Sequence, residues 1–278
     1  KKNVIEINMY NCNIIYANKH IVIDYNNKKY LVDTGSQISI SNNENIEIFD
    51  KNYSSFKEFS GKNLDYFSRK VDFNLDGIVG GNILSDYQFQ INFLNKQFTA
   101  VDAFDHNFNL DKYGHLNLDF VAGVPVVEIY VNKELKRVYL DTGAQWSYIK
   151  KDLVENELEV DQIDDFHPSI GNFTSKLYNV IVNFDTVLGQ VNTIKDIQLK
   201  MGVLPEKLTI FYKAGKTFAI IGTDIFHRMS LIFNYKKKKL FFIMQWIQAL
   251  GWGRTVNPFY DYMSIHKINK IYKFIINY

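Results

Sequence analysis

Apolar and polar residues alternate over 21–25 and again over 29–32, and the second run leads straight into Asp33. The same arrangement returns at 126–131 and 136–140, leading into Asp141. Period-2 alternation of this kind reads as a β-hairpin in each place. Further along, 82–87 and 223–229 read as short helical segments. Each is followed by a closing hairpin that turns at Asn95-Lys96 or at Lys236–Lys239. The four-lysine run is read as a solvated turn, where charge discourages pairing at a sheet edge. With 22 Phe, 18 Tyr and only 4 Pro, the chain favours strands over helices. The expected class is all-β. The segment 104–118, rich in Asp, Asn, His and Gly, reads as a linker. Beyond Ile243 the pattern changes. Ile265, Ile268, Tyr272 and Ile275 recur at helical spacing, with Lys267, Lys270 and Lys273 on other faces. Such a basic amphipathic helix packs on its own protein, or lies on a membrane surface or a partner. The expected division is 1–105, 106–243 and an accessory tail at 244–278.

The chain repeats itself. At an offset of 108 (141 − 33 = 108), without a gap, Ile21 falls on Ile129, Ile23 on Val131, Lys28 on Lys136, Gln37 on Gln145 and Ser39 on Ser147. At an offset of 142 (222 − 80 = 142), 77–84 falls on 219–226, and Ile91-Asn92-Phe93 on Phe233-Asn234-Tyr235. The second half therefore carries 142 − 108 = 34 additional residues between its two matching segments. Two related modules in one chain follow from this.

Composition narrows the chemistry. At 278 residues with 46% hydrophobic content, each half is large enough to bury a core. The net charge of +2, with signs interspersed, does not fit a nucleic-acid binder. Cys12 is alone, so no intrachain disulfide and no cysteine metal site can form. The six histidines show no ligand spacing, and no phosphate-loop, dinucleotide or serine-hydrolase motif is present. No apolar run reaches the ~18 residues of a membrane-spanning helix. The chain begins at Lys1 without Met, and an export signal removed upstream is one expectation that this leaves open. The compartment is not fixed by the sequence.

What remains are two copies of apolar-apolar-Asp-Thr-Gly. Two apolar residues anchor the strand, and Gly permits the sharp turn that presents the Asp from a rigid loop. One copy is weak evidence. Two copies, each at the same point of a repeat and each followed by apolar-apolar-Gly, are not. Asp33-Thr34-Gly35-Ser36 and Asp141-Thr142-Gly143-Ala144 resemble the catalytic motif of aspartic peptidases. Gly77-Ile78-Val79-Gly80 and Ala219-Ile220-Ile221-Gly222 resemble the family's second motif. The likeness is to two retropepsin-like modules fused in tandem, as in the pepsin-like single-chain arrangement, over about 20–243.

The resemblance implies two pseudo-symmetric small β-barrel lobes with a cleft between them. It makes Asp33 and Asp141 the catalytic pair sharing one water, with Thr34, Gly35, Ser36, Thr142, Gly143, Ala144, Gly80 and Gly222 in support. Neither metal nor cofactor is implied. The substrate would be an extended peptide or protein segment, apolar around the bond, cut by a monomer. The alternative is a retropepsin-like module that binds peptides or partners without cutting; a third reading is a regulated form with the tail or an upstream piece in the cleft. The family also has a flap hairpin between its two motifs. Here 80 − 33 = 47 residues separate them in the first half and 222 − 141 = 81 in the second. Candidate flap positions are Gly61 with Tyr66, and Gly171 with Phe173, the latter reversing the lobe that carries the flap in pepsin-like enzymes. Finally, the Ser36 hydroxyl is expected to donate to Asp33, lowering its pKa, which Ala144 cannot do for Asp141. In the family, Ser or Thr at both places goes with a more acidic working pH and Ala with a less acidic one, so the resemblance implies a mildly acidic optimum for one of each.

Overall fold

The computed structural model describes residues 8–102, 110, 114–185 and 194–244. Most of the expected linker and the tail from 245 lie outside them. In the first half run β1 Met9–Ala17, β2 His20–Tyr25, β3 Lys28–Val32, β4 Asn45–Ile48, β5 Lys51–Ser54, β6 Glu58–Phe59 and β7 Lys62–Asn63. The helix α1 Leu64–Lys70 follows, then β8 Gly77–Val79, α2 Gly81–Leu84, β9 Tyr87–Asn92 and β10 Gln97–Asp102. The second half holds β11 His115–Asn117, β12 Asp119–Val121, β13 Val124–Val131, β14 Glu134–Leu140, β15 Tyr148–Ile149 and β16 Glu159–His167. It ends with β17 Gly171–Phe184, β18 Ile194–Val203, α3 Ile210–Gly215, β19 Ala219–Ile221, β20 Met229–Asn234 and β21 Lys239–Met244. The protein is all-β, in two lobes.

Local chemistry explains the hairpins. Asn18-Lys19, Asn26-Asn27 and Asn132-Lys133 all take positive φ, the two-residue turn that matches the twist of the flanking strands. Strand β1 alternates buried and exposed residues along its length, as does β17. The lysine run is the turn between β20 and β21, with Lys236–Lys238 exposed. The repeat needs one correction. Val22 pairs with Leu31, whereas Tyr139, the counterpart of Leu31, pairs with Val126. The ungapped match therefore holds for β3 and β14 but slips by four residues in the strand before. The second hairpin is longer by two residues on each arm.

The second lobe closes. Its sheet runs β12-β13-β14-β19-β15-β18-β17-β16, and β13 also pairs with β17, which completes a six-stranded ring. The first lobe stays open. Its sheet runs β11-β21-β20-β9-β10-β1-β2-β3-β8, so β20 and β21 from the end of the second half extend it. At the join, β9 and β20 are antiparallel, and Gln90 lies opposite Ile232, its own counterpart at the 142 offset. The pseudo-twofold axis passes through that pair. One core, from Tyr10 and Phe49 through Val138 and Phe233 to Phe242, spans both lobes, and each lobe adds a cluster of its own, around Val22, Leu31 and Phe67 in the first and around Tyr148 and Tyr212 in the second.

Candidate active site

The two aspartates stand where the axis leaves the sheet. Each follows the last residue of a strand, and its N–H donates to the parallel neighbour: Asp33 to Val79 O at 3.0 Å and Asp141 to Ile221 O at 2.9 Å. Across the axis the threonines interlock. The N–H of Thr34 donates to Thr142 Oγ1 and that of Thr142 to Thr34 Oγ1, both at 3.0 Å. Thr34 Oγ1 then donates to Leu140 O at 2.9 Å and Thr142 Oγ1 to Val32 O at 2.8 Å. Both threonines are fully buried. Four mutual bonds without solvent lock the loops together, each worth about 1 kcal/mol net and more to leave broken.

This lock brings the carboxyls face to face. A Cβ on Gly35 would lie 2.3 Å from Asp141 Cγ, and one on Gly143 2.4 Å from Asp33 Cγ. Each carboxyl thus occupies the space that the other loop's glycine leaves empty. Backbone donors hold them: Ser36 N–H to Asp33 Oδ1 at 3.0 Å, and Gly143 and Ala144 N–H to Asp141 Oδ1 at 2.9 and 3.1 Å. Burial pushes the Asp33 carboxyl well above the usual range, and the neighbouring Asp141 charge pushes it further, against the donors at Ser36 and Gly35. Burial also pushes Asp141 up, against the donors at Gly143 and Ala144. Two like charges in contact cannot both persist, so the pair holds one proton between them.

The expected role of the Ser36 hydroxyl is not met. Ser36 Oγ donates to Ile38 O at 2.8 Å and accepts from Ile38 N–H at 3.3 Å. Only its backbone N–H reaches Asp33. The position therefore serves both lobes alike, through the main chain, and the Ser36 hydroxyl gives no ground for a mildly acidic optimum.

The second motifs brace the loops. Gly80 N–H donates to Ser39 Oγ at 2.9 Å, and Ser39 Oγ donates to Asn82 Oδ1 at 2.7 Å. In the other lobe Gly222 N–H donates to Ser147 Oγ at 3.0 Å, and Ser147 Oγ donates to Asp224 Oδ1 at 2.6 Å. A Cβ at Gly80 or Gly222 would meet the carbonyl oxygen of Ile38 or Trp146 within 2.5 Å. Ser39 and Ser147 matched in the repeat, as did Asn82 and Asp224. Their role was not read from sequence, although a buried hydroxyl at the same place in both modules was the signal.

The candidate flaps differ in kind. In the second lobe, β16 and β17 form a long hairpin, with Gly171 at φ +81° opening β17 directly after the turn. Phe173 lies on it and packs near Tyr148, ring centroids 6.1 Å apart. In the first lobe, Gly61 sits at φ +71° in the tight β6–β7 turn. That turn is not the counterpart of the long hairpin. Ile40 bridges to Ile78 and to Phe56 as Tyr148 pairs with Ile220 and Gly202. Phe56 thus stands where β18 stands, and β6–β7 comes after it. Instead the two hairpins meet across the cleft. Ser60 Oγ and Ser169 Oγ are 3.3 Å apart, Lys70 on α1 donates to Asn172, and Tyr66 meets Phe166 edge-on at 6.2 Å. Beside these contacts lies a cavity of about 500 Å³ lined by Lys70, Gln145, Asp165 and Phe173 among others, with neither Asp33 nor Asp141 in its lining. Among the described residues, no three His, Cys, Asp or Glu side chains converge as metal ligands would.

No protein-family model matches the sequence, and no curated protein matches it. Among solved structures, the crystal structure of basic 7S globulin from soybean matches with a TM-score of 0.50 at 10% identity. The match covers 89% of this chain and 97% of that one. At that identity the likeness speaks for the fold alone: an all-β, two-lobed architecture over nearly the whole of both chains.

Proposed function

We propose that the chain is an aspartic endopeptidase, two retropepsin-like modules in one polypeptide, hydrolysing peptide bonds with a water held between Asp33 and Asp141. The observation that carries this reading is the facing pair of carboxyls, each buried and seated against the other loop's glycine, an arrangement that favours one shared proton. The ionised member takes a proton from the water as its oxygen attacks the scissile carbonyl carbon. The protonated member gives its proton to the carbonyl oxygen. When the tetrahedral diol collapses, one of its hydroxyls gives its proton to the ionised carboxylate, the C–N bond breaks, the nitrogen leaves with the proton of the other carboxyl, and the dyad again holds one proton. The backbone donors and the threonine lock keep both carboxyls in place throughout, so the chemistry needs no covalent intermediate. An extended peptide would lie in the cleft beneath the β16–β17 hairpin.

Asp33→Asn and Asp141→Asn test the reading. Each should lower cleavage of a fluorogenic peptide by ~10²–10⁴-fold while leaving the circular dichroism spectrum unchanged, because an amide can neither take nor give the proton. Single variants retaining more than about a tenth of the wild-type rate would overturn it. Wild-type protein that binds peptide but releases no new termini is instead a non-catalytic binding module. Because one chain supplies both carboxyls, specific activity should hold constant on dilution to nanomolar concentration. A steep loss there would make an oligomer the active unit.

A further inference from the structure

Asp165 projects from the long hairpin toward the loop that follows Asp141, and nothing in the first lobe corresponds to it. Gln145 Nε2 donates to its Oδ1 at 2.9 Å, the Phe166 N–H donates to the same oxygen at 2.8 Å, and the Tyr148 hydroxyl donates to Oδ2. Gln145 and Tyr148 are buried and belong to the segment that carries the catalytic loop back into the sheet. In the first lobe Ile40 stands at the place of Tyr148, and Gln37, at the place of Gln145, is exposed. We infer that Asp165 is a positioning residue, which fastens the roof of the cleft to the Asp141 loop and sets the charge that the dyad faces. The inference rests on the peptidase reading.

Its charge acts on several groups. Asp141 is raised in part by Asp165, and so is Tyr148, on β15. Lys19 and His20, at the β1–β2 turn, and His167, on the hairpin itself, also feel it. Asp164 and Lys70 line the same cavity. Burial pushes His20 and His167 down from the usual histidine range. Lys19 lies over the Trp146 ring. Removing the Asp165 charge should therefore make the shared proton easier to lose.

The test compares wild type, Asp165→Asn, Asp165→Glu and Tyr148→Phe in the full chain, by the pH–rate profile on one fluorogenic peptide. Asp165→Asn should move the alkaline limb down by roughly half a pH unit or more and raise KM several-fold as the roof loosens. Asp165→Glu should return the limb toward its original place. Tyr148→Phe should raise KM and leave the limb. An unmoved limb in Asp165→Asn overturns the inference, even if kcat falls, because a merely structural residue would do that. If wild type cleaves nothing, the peptidase reading fails separately. The inference is then read from thermal stability between pH 4 and pH 8. The window in which stability falls must lie lower in Asp165→Asn than in wild type, and coincident curves sink it.

Discussion

The two lobes keep the same Asp-Thr-Gly loop on different supports. In the second, the 81 residues between Asp141 and Gly222 (222 − 141 = 81) make the long β16–β17 hairpin and β18, and the sheet closes on itself. In the first, 47 residues (80 − 33 = 47) leave room for β4–β5, β6–β7, α1 and β8, and the sheet stays open, extended by β20 and β21. Yet Asp33 and Asp141 see the same parallel strand, the same crossed threonines and the same Ser-to-Gly brace. Loop geometry is thus set by short-range hydrogen bonds and glycine clearances, while barrel closure and the roof vary independently. That is how one module can carry the cleft's cover for both.

If this separation holds, the largest effects lie in the shared part. Gly35→Ala and Gly143→Ala each place a methyl within 2.4 Å of the opposite carboxyl carbon. Both should cost about 100-fold or more in kcat/KM, the scale of a 1 Å misplacement, and should do so equally; a tolerated alanine in either lobe would break the comparison. Next come the braces. Ser39→Ala and Ser147→Ala each leave a buried Gly N–H without its acceptor, and should lower unfolding stability by about 1–3 kcal/mol in denaturant titrations. Ser147→Ala should cost more, because the acceptor that loses its donor is the Asp224 carboxylate, where Ser39→Ala leaves only the Asn82 amide oxygen. Equal losses would mean that the carboxylate adds nothing over Asn82.

A pH effect follows from the dyad. Both carboxyls have folded values above the ordinary carboxylate range, so the folded state binds its proton more tightly than the unfolded chain. That stabilisation is fully present below the unfolded value of ~4 and is lost as pH rises through the folded values. Melting temperature should therefore fall from pH 4 upward, and Asp33→Asn should flatten the fall. A fall of the same depth in the variant would put its source elsewhere. The smallest expected effect is at Ser36→Ala. It removes a hydroxyl bonded only to Ile38, so about 1 kcal/mol of stability goes and the pH–rate limbs stay where they are.

How much was legible in the sequence depends on what kind of contact made it. The dyad, its threonines and the all-β class were readable because each is a local pattern repeated at matching places. The closing hairpins and the lysine turn were readable from alternation and charge. The ungapped match failed at Val22 and Val126 because strand pairing tolerates a longer hairpin without any mark in the apolar pattern. Strand β1 was missed, although it alternates, because it lies ahead of the repeat. The β6–β7 turn looked like a flap by its glycine alone. Only the pairing of Ile40 with Phe56 shows where it falls in the connectivity. Asp165 was out of reach, since its partners Gln145 and Tyr148 are far along the chain and the first module offers no counterpart to compare.

The central claim is that Asp33 and Asp141 act as one proton-sharing unit. The most direct measurement is the thermal shift produced by a statine-type peptide, whose hydroxyl stands in for an oxygen of the tetrahedral intermediate and binds between the two carboxyls. At a hundred times its dissociation constant it should stabilise wild type by about 2.7 kcal/mol, and Asp33→Asn and Asp141→Asn far less. Equal shifts in all three proteins, or no shift in wild type, would contradict the account.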